Sequence, residues 1–208
     1  MVDIILAFAV VGIALLGGRL GRRTARDEGD DEPDVRTFAK VAHSADLADV
    51  EVEGWHGGWG SFNRVNETHL GSGEGAAQGW GFYLSEFREG GQWYARYLHF
   101  REKQGFLHRV SFSVAAHEFW DMERSDKIML SDGAYFTTDD YYAFRRDLGD
   151  KNAAACLRDI GIKAFRVNEN NNPNHGLTCV VVDPRIVNVA ESFEYLPERA
   201  DSQWRRLD

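Results

Sequence analysis

The chain has 208 residues, 43% hydrophobic and 12% aromatic, enough for one well-cored domain with appendages and too few for two large ones. A net charge of −9 excludes general nucleic-acid binding, which needs Lys and Arg clustered on one face. Two cysteines, Cys156 and Cys179, sit in apolar surroundings without Cys-x-x-Cys spacing, so they read as small buried hydrophobes and not as a disulfide framework or a zinc site.

Ile4 to Gly18 is an uninterrupted apolar run, followed at once by Arg19, Arg22, Arg23 and Arg26. At about 1.5 Å per residue it spans roughly 23 Å, short of a hydrocarbon core of about 30 Å, a gap that Met1, Val2 and snorkelling arginines can cover. It reads as a membrane anchor over 1–26 with its basic flank. A cleaved signal peptide is the competing reading, although its positive charge belongs before the apolar segment, where Asp3 stands here; a buried helix is the third. Positive residues stay cytoplasmic, so the anchor reading places the chain on an inner or plasma membrane with its domain in the cytoplasm.

Residues 27–36 follow as an acidic linker that opens with DEGDDEPD, Asp27 to Asp34, a stretch with nothing to bury. The remainder, 37–208, is the expected domain, with its core at about 50–190. TFAKVAHSADLADV predicts a short helix leading into a strand at Glu51 to His56. Phe106 to Val114 alternates, with Phe106, His108, Val110, Phe112 and Val114 on one face, and predicts a half-buried strand. Asp139 to Leu148 and Asp150 to Ile160 predict helices, the second with Asp150 as N-cap, Ala153, Leu157 and Ile160 inward, and Gly161 as its stop. Ile162 to Val167, Leu177 to Val182 and Ile186 to Ala190 predict strands, with a turn-rich loop at Asn168 to Gly176. Strands with inserted helices and no βαβ alternation predict an α+β fold.

Gly54 to Tyr97 stands apart: it interleaves glycines, which let a backbone approach a ligand closely, with aromatics that can stack on a planar heterocycle. That combination suggests a nucleotide pocket. No His-Glu-x-x-His is present, and His117-Glu118 lacks a second ligand at helical spacing, so no metal is expected. Gly71-Ser72-Gly73-Glu74-Gly75 has no strand before it and no helix after it, which excludes a dinucleotide fingerprint. No serine sits on a Gly-x-Ser-x-Gly elbow.

Four ordered pieces remain: His56-Gly57-Gly58, Ser61-Phe62-Asn63-Arg64-Val65, Gly71 to Gly75, and Gly79-Trp80-Gly81-Phe82-Tyr83. In them the chain resembles the ADP-ribosyltransferase superfamily, in its His-Tyr-Glu branch shared by diphtheria toxin and the poly(ADP-ribose) polymerases. Within that branch it is most similar to the domain of phage and mobile-element polyvalent proteins. The resemblance weakens in the middle, returns at Asp159 to Phe165 and Cys179 to Asp183, and covers roughly Val50 to Ala190. It implies a split β-sheet core with inserted helices, and NAD as substrate. By the same resemblance His56 bonds an adenosine ribose hydroxyl, the Gly57 backbone holds the nicotinamide carboxamide, and Tyr83 stacks on the nicotinamide ring. Trp80 or Tyr94 shapes the pocket, with Gly58, Gly73, Glu74 and Gln78 alongside.

The chain departs from the pattern at its third catalytic position. The glutamate of the polymerase-like branch precedes the strand matched by Cys179 to Asp183, and there this chain has Thr178. Gly58 also replaces the usual Ser or Thr, which removes one ligand contact, and Glu74 and Gln78 are nearby polar groups able to compensate. Together these features point to a mono-ADP-ribosyltransferase of the toxin or effector kind that uses NAD and modifies an unidentified acceptor, expected to be a protein. The alternatives are a non-catalytic NAD or ADP-ribose binding module and an interaction domain that reuses the fold.

Overall fold

The computed structural model describes residues 38–43, 48–71, 79–168, 176–199 and 203–208. All belong to the second of two units, Thr37–Asp208. The expected anchor, the acidic linker, Gly73, Glu74, Gln78 and most of the loop before Gly176 lie outside the described residues. Among the described residues, no helix is long and apolar enough to cross a membrane.

The fold is mixed α+β, a large and mostly antiparallel sheet with three α-helices among the described residues. In chain order the elements are β1 (Val50–Gly58), β2 (Phe82–Ser85), α1 (Arg88–Phe100), β3 (Phe106–Val114), β4 (Phe119–Asp121), β5 (Lys127–Met129) and β6 (Tyr135–Thr137). They continue with α2 (Thr138–Leu148), α3 (Asp150–Ile160), β7 (Ala164–Val167), β8 (Thr178–Val181), β9 (Asn188–Tyr195) and β10 (Trp204–Leu207). Eight strands form one sheet in the order β10-β9-β3-β1-β2-β8-β7-β4, while β5 and β6 pair separately. Every neighbour in the large sheet is antiparallel except β4 and β7. β1 and β3 pair over their full length, from Val50 opposite Val114 to Gly58 opposite Phe106. β1 and β2, by contrast, pair only at Trp55 opposite Ser85.

β3 carries the predicted alternation, with His108, Val110, Phe112 and Val114 buried. Leu107, on its other face, is buried too, because α1 lies over it: a Cβ added at Gly91 would stand 2.8 Å from Leu107 Cδ1. The buried residues of α1 are Gly90, Gly91 and Ala95, small enough for the helix backbone to rest directly on the sheet. Two apolar clusters result. One places Trp120, Phe136, Tyr141, Leu157, Ile160 and Phe165 between α2, α3 and one sheet face; the other places Phe82, Leu84, Val110, Phe112 and Val181 on the opposite face.

α2 starts with a capping box: Asp140 N–H donates to Thr137 Oγ1 at 3.1 Å and Thr137 N–H to Asp140 Oδ2 at 2.9 Å, a device worth about 1 kcal/mol. α3 buries Ala153, Leu157 and Ile160 as predicted and stops at Gly161 with φ 106°. Its N-cap is Gly149, not Asp150, whose carboxylate instead accepts from Arg145 Nε at 2.8 Å. Of the helix expected before β1, residues 44–47 lie outside the described residues, and the described ones differ from the expectation. Residues 38–43 are not helical: Val41 bridges to Leu130 and donates to the Ile160 carbonyl at 2.7 Å, and the Phe38 ring sits 5.3 Å from that of Phe136. Pairing and burial outside the segment override its local helical preference. Trp204–Leu207 supplies β10, which pairs with β9.

Candidate functional site

β1, β2 and β8 lie side by side and carry His56, Tyr83 and Thr178 respectively. Register fixes the faces. Trp55 lies opposite Ser85, and Ser85 opposite Thr178, so these three point the same way. Tyr83 and Gly57, each two residues along, share that face, and α1 covers part of it with Tyr94. His56 leaves β1 on the other face.

The His56 ring stacks on Phe82, centroids 4.1 Å apart, with Phe62 at 5.9 Å. Its Nδ1 lies 2.8 Å from the Tyr83 carbonyl oxygen. A carbonyl only accepts, so Nδ1 carries the hydrogen. Burial pushes the pKa down to about 3, against the pull of that carbonyl, so the ring is neutral at physiological pH. In this tautomer Nε2 keeps its lone pair, and among the described residues it has no hydrogen-bond partner. His56 is therefore an oriented acceptor, suited to a ligand hydroxyl.

Behind it, His108 is fully buried and fully satisfied: Nε2–H donates to the Gly60 carbonyl at 3.0 Å and Nδ1 accepts from Ser192 at 2.8 Å. Burial pushes its pKa down to about 4. Phe62, read in the sequence only as part of a motif, stacks on His108 at 4.0 Å and on His69 at 4.8 Å, and so walls the aromatic nest around His56. Its contacts are non-local, and only the motif marked it out.

Tyr83 and His56 thus meet through the Tyr83 backbone, while their side chains diverge to opposite faces. The Tyr83 hydroxyl donates to the Gly79 carbonyl at 2.6 Å and closes the Gly-x-Gly turn. Trp80 packs into both apolar clusters, with the Arg158 guanidinium 5.2 Å from its ring centroid. Thr178 is buried between Ser85 and Val167. Just beyond it, Glu86 ties β2 to β8, its Oε2 accepting from Leu177 N–H at 3.0 Å.

The two glycines after His56 have different neighbours. A Cβ at Gly57 would overlap the Gly91 carbonyl oxygen and stand 2.8 Å from both Ala95 N and Tyr94 Cβ, so the residue is small because α1 occupies that space. A Cβ at Gly58 would stand 2.9 Å from His56 Nε2. Gly58 keeps that nitrogen open.

Among the described residues, no group of three or more His, Cys, Asp or Glu is arranged to hold a metal ion. Cys156 is half-buried and Cys179 buried, and burial pushes their thiols up to about 11 and about 12. Neither is a thiolate nucleophile at neutral pH. Comparisons with protein-family models, with curated proteins and with solved structures each found no match to the chain.

Proposed function

We propose that the chain is an NAD-dependent mono-ADP-ribosyltransferase with the ADP-ribosyltransferase-like split sheet, transferring ADP-ribose to an acceptor that is a protein. The observation that carries this reading is the adjacency of β1, β2 and β8, with β1 parting from β2 on either side of Trp55 and Ser85. Adjacent strands make the His-Gly, Gly-x-Gly-x-Tyr and third-position segments neighbours, with the His56 side chain on one face of the sheet and those of Tyr83 and Thr178 on the other, so the NAD of this reading contacts both faces at the parting of β1 and β2.

The chemistry follows from the side chains. His56 Nε2 accepts from an adenosine ribose hydroxyl, and Tyr83 and Tyr94 offer rings to the nicotinamide. The bond between nicotinamide and C1′ of the ribose breaks with its electron pair going to the ring nitrogen, so nicotinamide leaves neutral. The sugar passes through an oxocarbenium-like state, stabilised by a hydrogen bond from Thr178 to its 2-hydroxyl. The acceptor nucleophile then bonds C1′ and gives up its proton. Holding NAD bent with C1′ exposed makes the step effectively unimolecular. Gly73, Glu74 and Gln78 belong to the same NAD site by resemblance, and the apolar run at 4–18 tethers the domain to the cytoplasmic face of a membrane.

A second reading, a binding module for NAD or ADP-ribose without turnover, is favoured by one observation. The row formed by Ser85, Thr178 and Val167 contains no carboxylate.

The test incubates full-length protein with labelled NAD and bacterial lysate, comparing wild type with His56→Ala and Tyr83→Phe. Nicotinamide release and label on a lysate protein, both lost in His56→Ala, are expected. Binding without release selects the second reading, and a folded protein that neither binds NAD nor releases nicotinamide sinks both. A reporter fused after Asp208 checks the tether, and an extracytoplasmic signal contradicts it.

A further inference from the structure

Three arginines from distant parts of the chain line one groove of about 570 Å³ whose lining does not include His56. Arg64 comes from the loop after β1, Arg158 from the last turn of α3, and Arg185 from the turn after β8, with Val65 and Pro184 between them. In a chain of net charge −9, such convergence of cations stands out.

Their partners are unequal. Arg185 forms a two-pronged pair with Asp183, Nε to Oδ1 at 2.8 Å and Nη2 to Oδ2 at 2.7 Å. Asp183 is 5% exposed, and Arg185 holds its carboxyl below the usual range. That carboxylate is spent, and it fixes the Arg185 fork with its remaining edge outward. Arg158 is anchored by an Nη1 hydrogen bond to the Val182 carbonyl at 3.3 Å and by its place over Trp80. Its only carboxylate partner among the described residues is Glu67, at 3.6 Å, beyond hydrogen-bond distance, on a side chain 72% exposed. Arg64 has no ion pair or side-chain hydrogen bond among the described residues.

We propose that this groove binds a phosphate-bearing small molecule, its phosphoryl oxygens held by Arg64, Arg158 and Arg185, with Glu67 the counter-ion that the phosphate displaces. Once Glu67 swings aside, three guanidiniums face one buried carboxylate, leaving two uncompensated positive charges for a phosphate dianion. Forks arriving from three segments suit three phosphoryl oxygens, whereas a carboxylate ligand has two oxygens and one charge. None of the residues assigned to NAD lines the groove, although Trp80 supports Arg158 from behind, and titration with phosphate in the absence of NAD reads this binding separately from the transferase reading.

The test titrates full-length protein calorimetrically with inorganic phosphate and with pyrophosphate, ionic strength being held constant with chloride. Saturable binding is expected, weakened about tenfold or more by Arg64→Ala. Glu67→Gln is expected to tighten it several-fold, opposite in sign to any general damage. Both side chains are exposed, so both variants are expected to fold, which their melting temperatures check. Absence of saturable phosphate binding by the wild type overturns the proposal, as does an affinity that neither substitution moves.

Discussion

His56 Nδ1 donates to the Tyr83 carbonyl across 2.8 Å, so a side chain of β1 takes the acceptor that β2 turns toward it. One hydrogen bond therefore holds the strands together where their ladder has ended, and it also sets which nitrogen of His56 faces outward.

That arrangement has an acid signature. The folded pKa values of His56 and His108, about 3 and about 4, lie below the unfolded value of 6.5. The unfolded chain takes up protons that the folded one refuses, so stability is complete above about pH 6.5 and falls as pH drops toward 4. Each such proton contributes a slope of up to about 1.4 kcal/mol per pH unit. Denaturant unfolding between pH 7 and 4 measures it, and His56→Gln should flatten the slope. Stability that is level or rises on acidification contradicts the assignment.

Gly57→Ala should destabilise the fold by about 2–3 kcal/mol, because the new methyl group strikes the backbone of α1 and helix and strand must separate. Gly58→Ala meets only the end of the His56 side chain, so its cost in stability should be smaller. Its effect should fall on the ligand: the displaced ring loses its aim, and if His56 holds NAD as proposed, NAD affinity should drop about tenfold. Chemical denaturation and NAD titration of the two variants separate these effects.

Thr178→Val keeps the shape of a buried strand residue and removes its hydroxyl. If the hydroxyl bonds the ribose in the transition state, nicotinamide release slows about tenfold while the melting temperature hardly moves. An unchanged rate removes Thr178 from the chemistry.

Cys156 and Cys179 should resist iodoacetamide at pH 7.5 in the folded protein and react at once in denaturant, since burial raises both thiols well above neutrality. Mass spectrometry of the two states reads the difference. Rapid labelling of the native chain contradicts the packing of α3 at Cys156 or of β8 at Cys179.

What the sequence revealed was chiefly local periodicity. Alternation from Phe106 to Val114 marks β3, and Ala153, Leu157 and Ile160 with Gly161 mark α3, because each pattern is completed within its own segment. The same periodicity gave no sign that Leu107 is covered, since its cover, α1, is brought over it by the fold. Strands of three residues such as β4 and β5 are too short to show a period. Val41 finds its partner at Leu130, and Asp150 is drawn from capping by Arg145; both outcomes depend on contacts beyond the segment. At the candidate site the motif named His56 and Tyr83, yet not that their side chains part to opposite faces. That follows from the register of Trp55 with Ser85. Arg64, Arg158 and Arg185 are scattered in sequence and meet only in space.

β10 closes one border of the large sheet with just Trp204 to Leu207, and its Arg205 and Arg206 are tied to Glu194 and Glu191 of β9. Beneath it β9 offers eight residues, with Phe193 and Tyr195 among them. A short, charged outermost strand gives a second molecule little to add to, whereas a bare β9 would be a ready template for it. β10 thus works as a seal, ending the hydrogen-bond ladder of the described sheet on a short strand that carries two paired arginines.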